Sequence, residues 1–186
     1  METQSASQVI DALEEKVESH LNEAIKIFQN LPTEVLLKPA INGGWSIAQC
    51  LWHLNSYGDY YLPQIKSGLT KHYQANPYFK STWLGRYFTR IMNPGPHMKK
   101  FKAFKTHVPQ IEMDPHMVVA EFIRQQEMFL SFLKQARQTD MNKISIPISI
   151  LKWAKLKLGD VFQFIVAHDE RHLQQAKRII SSDLIR

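Results

Sequence analysis

The sequence predicts an all-α protein in which four long helices form a four-helix bundle. Apolar residues recur at intervals of three and four positions in four separate segments, which is the periodicity of amphipathic helices. Residues that typically start or stop helices stand at the ends of these segments. A chain of 186 residues can bury roughly two thirds of its unfolded surface. We therefore expect residues 1–186 to form one domain.

The first two predicted helices have clear boundaries. The first spans about residues 7–31 and ends before Pro32, with an apolar stripe of Ile10, Leu13, Val17, Leu21, Ala24 and Phe28. The second begins after Ser46, because Ser46 and Gln49 form a capping-box pattern, and it ends near Gly68. Its buried stripe is predicted to contain Ile47, Leu51, Leu54, Tyr61 and Ile65.

The third and fourth predicted helices complete the bundle. The third has Asp114 as its N-cap and Pro115 at its first helical position. Its apolar face contains Val118, Val119, Phe122, Ile123, Phe129, Leu133 and Ala136. The fourth runs from Gly159 or Asp160 to about Ile180. Its stripe contains Phe162, Ile165, Val166, Leu173, Ala176 and Ile180.

Two connections need separate interpretation. About 45 residues lie between helices two and three, which is too long for a structureless loop in a compact domain. We predict a long irregular connection there, with a short helix within residues 78–92. In residues 139–157, isoleucines alternate as in a strand, but Pro147 interrupts the pattern. That segment is predicted to be an irregular crossover.

Composition excludes several classes of protein. No segment approaches the eighteen or so apolar residues of a membrane span, and the start of the chain lacks the pattern of a signal peptide. Cys50 is the sole cysteine. A cytoplasmic protein without a membrane partner is expected. The net charge of +6 suits solubility. The basic and aromatic stretch Lys99–Lys105 favours a solvated loop anchored by phenylalanines over a nucleic-acid site.

Histidines in two of the predicted helices form a candidate metal site. His168 and His172 are separated by four residues, so they lie about 40° apart around the helix and share one face. A third ligand is needed for tight binding, and His53, in the second helix, is the best candidate. On spacing alone, a half-buried His53 and a solvated histidine pair remain as alternatives.

Metalloproteases of the HExxH type also carry two histidines at this spacing, with a glutamate base after the first. Here Asp169 takes that place with a side chain one methylene shorter, and Glu170 points about 180° from the midpoint of the histidine face. The pattern therefore does not predict a metalloprotease. For Asp169, a general base acting through water and a supporting or solvated carboxylate both remain open.

Other residues near the predicted ligands have weaker interpretations. Gln49, Tyr57 and Tyr60 share the face of His53, and either tyrosine can donate a hydrogen bond to a substrate or simply pack. Cys50 is either a fourth ligand or, preferably, a buried structural residue. His20 either approaches the site or, preferably, is a satisfied boundary histidine. No role is assigned to His72, His97, His107 and His116.

The helices that carry the histidines resemble those of the DinB-like (YfiT-like, damage-inducible) superfamily of metalloproteins. The matching positions are Trp45-Ser46-Ile47, His53, Leu158-Gly159-Asp160 and His168-x-x-x-His172-Leu173-x-Gln175. This resemblance implies a four-helix bundle with an atypical connection between helices two and three. It also implies a divalent metal, zinc or nickel, held by His53, His168 and His172, and a homodimer.

The resemblance leaves the reaction open. It implies a metal-dependent enzyme acting on a small molecule, either as a hydrolase or as a transferase that uses a small thiol or thiol conjugate. A non-catalytic bundle that binds a metal or ligand is the alternative. A purely structural metal is disfavoured because such sites usually have four protein ligands, commonly including cysteine.

Overall fold

The computed structural model describes residues 3–41, 43–71, 73–95 and 102–183. Its helices are α1 (Ala6–Lys26), α2 (Thr33–Leu37), α3 (Ile47–Leu69), α4 (Trp83–Met92), α5 (Pro115–Ala136) and α6 (Leu158–Asp183). Its strands are β1 (Gln4–Ser5), β2 (Tyr78–Phe79), β3 (Ser145–Ile148) and β4 (Leu151–Lys157). The prediction of an all-α four-helix bundle is confirmed, with α1, α3, α5 and α6 as the long helices.

The helix caps that the sequence predicts are present at the starts of α3 and α5. The Ser46 hydroxyl accepts a hydrogen bond from the Gln49 backbone N–H at 3.2 Å, and the Gln49 side chain accepts from the Ser46 N–H at 3.0 Å. Asp114 accepts from the first backbone N–H groups of α5. Each cap satisfies donors that a helix cannot pair internally and stabilises it by about 1 kcal/mol.

The helices pack in an order that differs from their order in the chain. Helix α5 contacts α1 and α3, and α6 contacts the same two helices from the other side. Helices α1 and α3 therefore lie on one diagonal of the bundle, and α5 and α6 on the other. The long connection between α3 and α5 carries α4, which packs on α6. Within the described residues, every helix is too short or too polar to span a bilayer.

The prediction of an irregular crossover over residues 139–157 is wrong. Strands β3 and β4 form an antiparallel hairpin in which Ile146 pairs with Leu156. Pro147 is accommodated because a two-stranded sheet has only edge strands, and the register shifts between Pro147 and Ile148. The alternating isoleucines were the correct signal, since Ile144, Ile146 and Ile148 are all buried.

Buried polar side chains separate two apolar clusters in the bundle. Phe122 of α5 belongs to one cluster and Phe129 to the other, with the buried Gln126 between them along the helix. Burying such groups is costly unless they are paired or bind a ligand. The polar residues include His20, His53, Gln126, His168 and Asp169.

Cys50 should be inert towards thiol reagents in the native protein. It is fully buried, and burial raises the pKa of its thiol to about 12. Because only the thiolate reacts, we expect labelling at pH 8 to be at least about a hundredfold slower than for an exposed cysteine. A chromogenic disulfide reagent measures the rate, with guanidinium-unfolded protein as the control. Equal rates in native and unfolded protein would show that Cys50 is accessible.

Candidate metal centre

The structure brings together the three histidines that the sequence singled out. Helix α3 positions His53, and α6 positions His168 and His172 on one face. One ring nitrogen from each lies within 4.8 Å of the other two. The Nε2 atoms of His53 and His168 are 3.2 Å apart. All three side chains are buried, so the bundle holds them at a fixed separation.

The geometry of the cluster fits a divalent metal. Around a tetrahedral zinc ion with bonds of about 2.0–2.1 Å, two ligand nitrogens lie about 3.3–3.4 Å apart. The 3.2 Å between His53 and His168 is close to that separation. Imidazole nitrogens suit zinc, nickel, copper and iron. Three protein ligands leave at least one coordination position open, as in catalytic sites.

Hydrogen bonds fix the tautomers of two of the histidines. The His53 Nδ1–H donates to the backbone carbonyl of His107 at 2.7 Å. The His172 Nδ1–H donates to the side-chain oxygen of Gln175 at 3.1 Å. A neutral imidazole with its proton on Nδ1 presents an unprotonated Nε2, so both rings are prepared to act as ligands. Such outer partners also hold the ring orientation.

Burial keeps the cluster uncharged. It lowers the pKa of His53 to about 4 and that of His172 to about 3, and it holds the pKa of His168 well below its ordinary value. All three rings are therefore neutral at pH 7. Because a histidine must lose its proton before it binds a metal, the protein has already met this condition through folding.

The histidine cluster lies in the wall of a cavity of about 860 Å³. That volume is in the range of small-molecule binding sites. Aromatic and aliphatic side chains form most of the wall, including Trp45, Tyr57, Phe88, Ile91 and Phe164. The Trp45 ring lies 4.8 Å from the His53 ring and 5.8 Å from the His172 ring. The open side of the cluster thus faces a space that fits a small molecule.

Comparison with known proteins identifies the family. Residues 16–176 match the DinB superfamily. The chain belongs to the DinB superfamily. Its structure is similar to that of YfiT from Bacillus subtilis, described as "a probable metal-dependent hydrolase with an unusual four-helix bundle topology", with a TM-score of 0.53 and 18% identity over 94% of this chain and 85% of YfiT. No curated protein matches the sequence.

The acidic residues next to the histidines of this DinB superfamily protein face away from the cavity. The Asp169 carboxylate accepts a hydrogen bond from Gln126 of α5 at 3.1 Å, and burial raises its pKa to about 6. Glu170 pairs with His20 at 2.9 Å, and this bond is the main reason that the pKa of Glu170 falls to about 2. Neither carboxylate lines the cavity. His20 is buried rather than at a boundary, and only its Nε2 is paired, because its Nδ1 has no hydrogen-bond partner among the described residues. The expectation of a satisfied boundary histidine is therefore wrong.

The remaining candidates fall in three groups. Tyr57 lines the cavity, whereas Tyr60 and Gln49 do not, and Gln49 completes the helix cap. Cys50 is absent from the cluster of potential metal ligands found among the described residues. Of the basic stretch, Lys102 and Phe104 line the cavity. Residues 99–101 and the two histidines His72 and His97 lie outside the described residues.

His107 supports the histidine cluster, although no pattern in the sequence assigned it a role. Its carbonyl orients His53, and its Nδ1 bonds to the Ser56 hydroxyl at 2.9 Å. Ser56 in turn donates to the His53 carbonyl at 2.7 Å. The His107 ring stacks on Tyr57 with centroids 4.0 Å apart. A residue in a short turn at Lys105–His107 carries no helical periodicity, so only the tertiary structure reveals it.

Replacing His107 with alanine should weaken metal binding without removing a ligand. The substitution removes the bond to Ser56 and the stacking on Tyr57, which together hold the carbonyl that orients His53. Loss of such a supporting interaction typically lowers metal affinity by about 10–100-fold. Competition with a chromophoric chelator measures the change. His116→Ala is the matched control, because His116 is exposed and bonds to Thr33 instead. Equal affinities of the two variants would exclude a positioning role.

Proposed function

We propose that the protein is a metal-dependent hydrolase of small molecules, with one zinc or nickel ion bound by His53, His168 and His172. The convergence of three neutral imidazoles on one cavity wall carries this proposal. The description of YfiT as a probable metal-dependent hydrolase supports it. Such an ion, when bound, lowers the pKa of a water or thiol ligand and polarises a carbonyl oxygen.

The surrounding side chains would bind and orient the substrate. Burial raises the pKa of Tyr57 to about 12, so its hydroxyl stays protonated and is available as a hydrogen-bond donor to a substrate oxygen. The apolar walls exclude bulk water, which strengthens electrostatic interactions inside the cavity. In ester hydrolysis, the oxygen of one water joins the acyl carbon, the C–O bond to the alcohol breaks, and the alcohol oxygen receives a proton.

A panel of aryl esters and amides tests the proposal. Protein purified without a histidine tag is reconstituted with zinc or nickel and compared with chelator-treated protein and with His168→Ala. We expect hydrolysis in the reconstituted wild type alone. Tight metal binding without turnover of any member of a broad panel would contradict the hydrolase and favour the non-catalytic metal-binding alternative.

A thiol-dependent transferase is the second candidate, and one observation favours it. No aspartate or glutamate lines the cavity among the described residues, so a nucleophile there has no carboxylate base. A thiol, with a pKa of about 8.5, needs less help than water to form its anion. Mass spectrometry of the product separates the two reactions, because transfer yields a thiol conjugate and hydrolysis yields the free acid.

Proteolysis is not expected from either reaction. The glutamate base of HExxH enzymes is replaced by Asp169, whose carboxylate is directed to Gln126. Unfolded casein incubated with the zinc- or nickel-loaded protein should remain intact, as judged by release of acid-soluble fluorescent peptides. Thermolysin is the positive control. Cleavage that a chelator abolishes would show that Asp169 can replace the glutamate.

A further inference from the structure

The cavity extends along one face of α6. Its wall includes, in sequence, Phe164, His168, Arg171, His172, Gln175 and Arg178. Intervals of three and four residues keep these side chains on one face of the helix. At 1.5 Å per residue, the face from Phe164 to Arg178 is about 21 Å long. The histidine pair lies near its middle, so a bound molecule can extend from the cluster in both directions.

The two ends of the cavity, on either side of the histidine cluster, are lined by different types of side chain. Around Phe164 the wall is apolar, since its ring lies 6.0 Å from Tyr61 and 6.1 Å from Phe88. The hydroxyl of Tyr61 is occupied as an acceptor of the Ser149 N–H at 3.1 Å. The neighbouring hairpin adds further apolar side chains to the cavity, namely Ile148, Ile150 and Leu156. This end therefore suits an aliphatic or aromatic group.

The charged side chains among the described residues that line the cavity are all cationic. Arg178 and Lys102 are exposed, whereas Arg171 is buried and donates to the Ile91 carbonyl at 3.2 Å. No carboxylate among the described lining residues offsets these charges. A cavity lined by one sign of charge within apolar walls concentrates ligands of the opposite sign. Arg178 lies beyond His172, opposite the Phe164 end.

We propose that the ligand of this cavity is an organic carboxylate with an apolar body, its body against Phe164 and its carboxylate towards Arg178. The guanidinium group matches a carboxylate geometrically. Arg178 lies in the last turns of α6, where the negative end of the helix dipole opposes a phosphate monoester, with its charge of about −1.5 to −2, more strongly than a singly charged carboxylate. This inference rests on the proposed function in one respect, because the proposed reaction places the reacting group of the ligand at the three histidines.

Binding of matched probes tests the proposal in metal-free protein. Isothermal titration compares 10-phenyldecanoate, whose length suits the separation of Phe164 and Arg178, with the neutral 10-phenyldecanamide in the presence of chelator, so that a carboxylate cannot gain affinity by binding a metal. We expect the carboxylate to bind about tenfold more tightly at low salt. In Arg178→Gln the preference should fall to about twofold.

The matched control is Arg90→Gln. Arg90 is an exposed cation on α4, the helix that also contributes Phe88 and Ile91 to the cavity, but its own side chain does not line the wall. This variant should keep the full carboxylate preference. Arg171 is left intact because it supports α4 through the Ile91 carbonyl.

The outcome is independent of the metal proposal. A carboxylate preference in metal-free protein would stand even if no metal-dependent activity were found, and metal-dependent turnover without that preference would contradict only this inference. Equal affinity for the acid and the amide would overturn it. Tighter binding of 9-phenylnonyl phosphate than of the carboxylate would overturn the assignment of the anion.

Discussion

Replacing His172 with alanine should abolish tight binding of zinc or nickel, and His53→Ala and His168→Ala should do the same. The three ring nitrogens lie within 4.8 Å of one another, and they link α3 to α6. Losing a supporting hydrogen bond at a metal site costs about 10–100-fold in affinity, so losing one of three ligands should cost more. Each variant would retain only two of the three buried histidines, which form a weak chelating pair.

The measurement compares metal-reconstituted proteins that lack a histidine tag. Competition with a chromophoric chelator gives the affinity, and inductively coupled plasma spectrometry gives the stoichiometry. His20→Ala is the control. His20 also belongs to the buried polar residues between the two apolar clusters, but it bonds to Glu170. This variant should retain one ion per chain. Equal metal affinity of wild type and His172→Ala would rule out the three-histidine site.

Chelation should also lower the melting temperature of the wild type. A metal that binds only the folded state stabilises it by about 2.7 kcal/mol at a free concentration of one hundred times Kd. In a protein of this size, that corresponds to a shift of roughly 5–11 °C. The shift should disappear in His172→Ala. Its persistence there would mean that the metal stabilises the fold from another site.

The long helices were predictable because their signals are local. The cap formed by Ser46 and Gln49 and the Asp114-Pro115 start lie within a few residues of the apolar stripes that they begin. The hairpin was missed because Pro147 was given more weight than the alternation around it. Its stability depends on packing against the bundle, where Ile144 and Ile146 contact the core, and no local pattern contains that contact.

The candidate site was predictable only in part. The four-residue interval between His168 and His172 indicated a ligand pair, and the resemblance to DinB-like proteins supported His53 as the third ligand. The structure brings the three histidines together. Their occupancy by metal, like the homodimer, stays a prediction. Tertiary packing brings His107 to His53 and Arg178 to the cavity wall, so their positions could not be inferred from periodicity.

The Leu158-Gly159-Asp160 motif illustrates a different limit. It supported the resemblance to the family, yet its residues have structural roles in this protein. A Cβ atom on Gly159 would lie 2.6 Å from the Phe79 ring, so glycine allows α6 to start against β2. Asp160 is fully buried and accepts hydrogen bonds from Ser81 and Thr82. The motif thus joins the connection to the start of α6.

Replacing Asp160 with alanine should destabilise the fold strongly. The Thr82 N–H at 3.1 Å and its hydroxyl at 2.7 Å would lose their acceptor, as would the Ser81 hydroxyl. Thr82 is the N-cap of α4, and Gly85 lies so close to Asp160 that a Cβ there would be 2.1 Å from the carboxyl carbon. Leaving these groups unpaired should cost about 2–4 kcal/mol.

Thermal unfolding and ligand titrations together separate this effect from damage to the histidine cluster. The melting temperature should fall by roughly 5–15 °C, and binding of 10-phenyldecanoate should weaken because α4 supplies Phe88 and Ile91 to the cavity. Metal affinity should change little, since the proposed ligands belong to α3 and α6. Asp11→Ala is the control, because that carboxylate is 61% exposed and pairs with Arg137 on the surface, where an ion pair contributes about 0–1 kcal/mol. If both variants melted together with the wild type, the Asp160 contacts would not hold α4 in place.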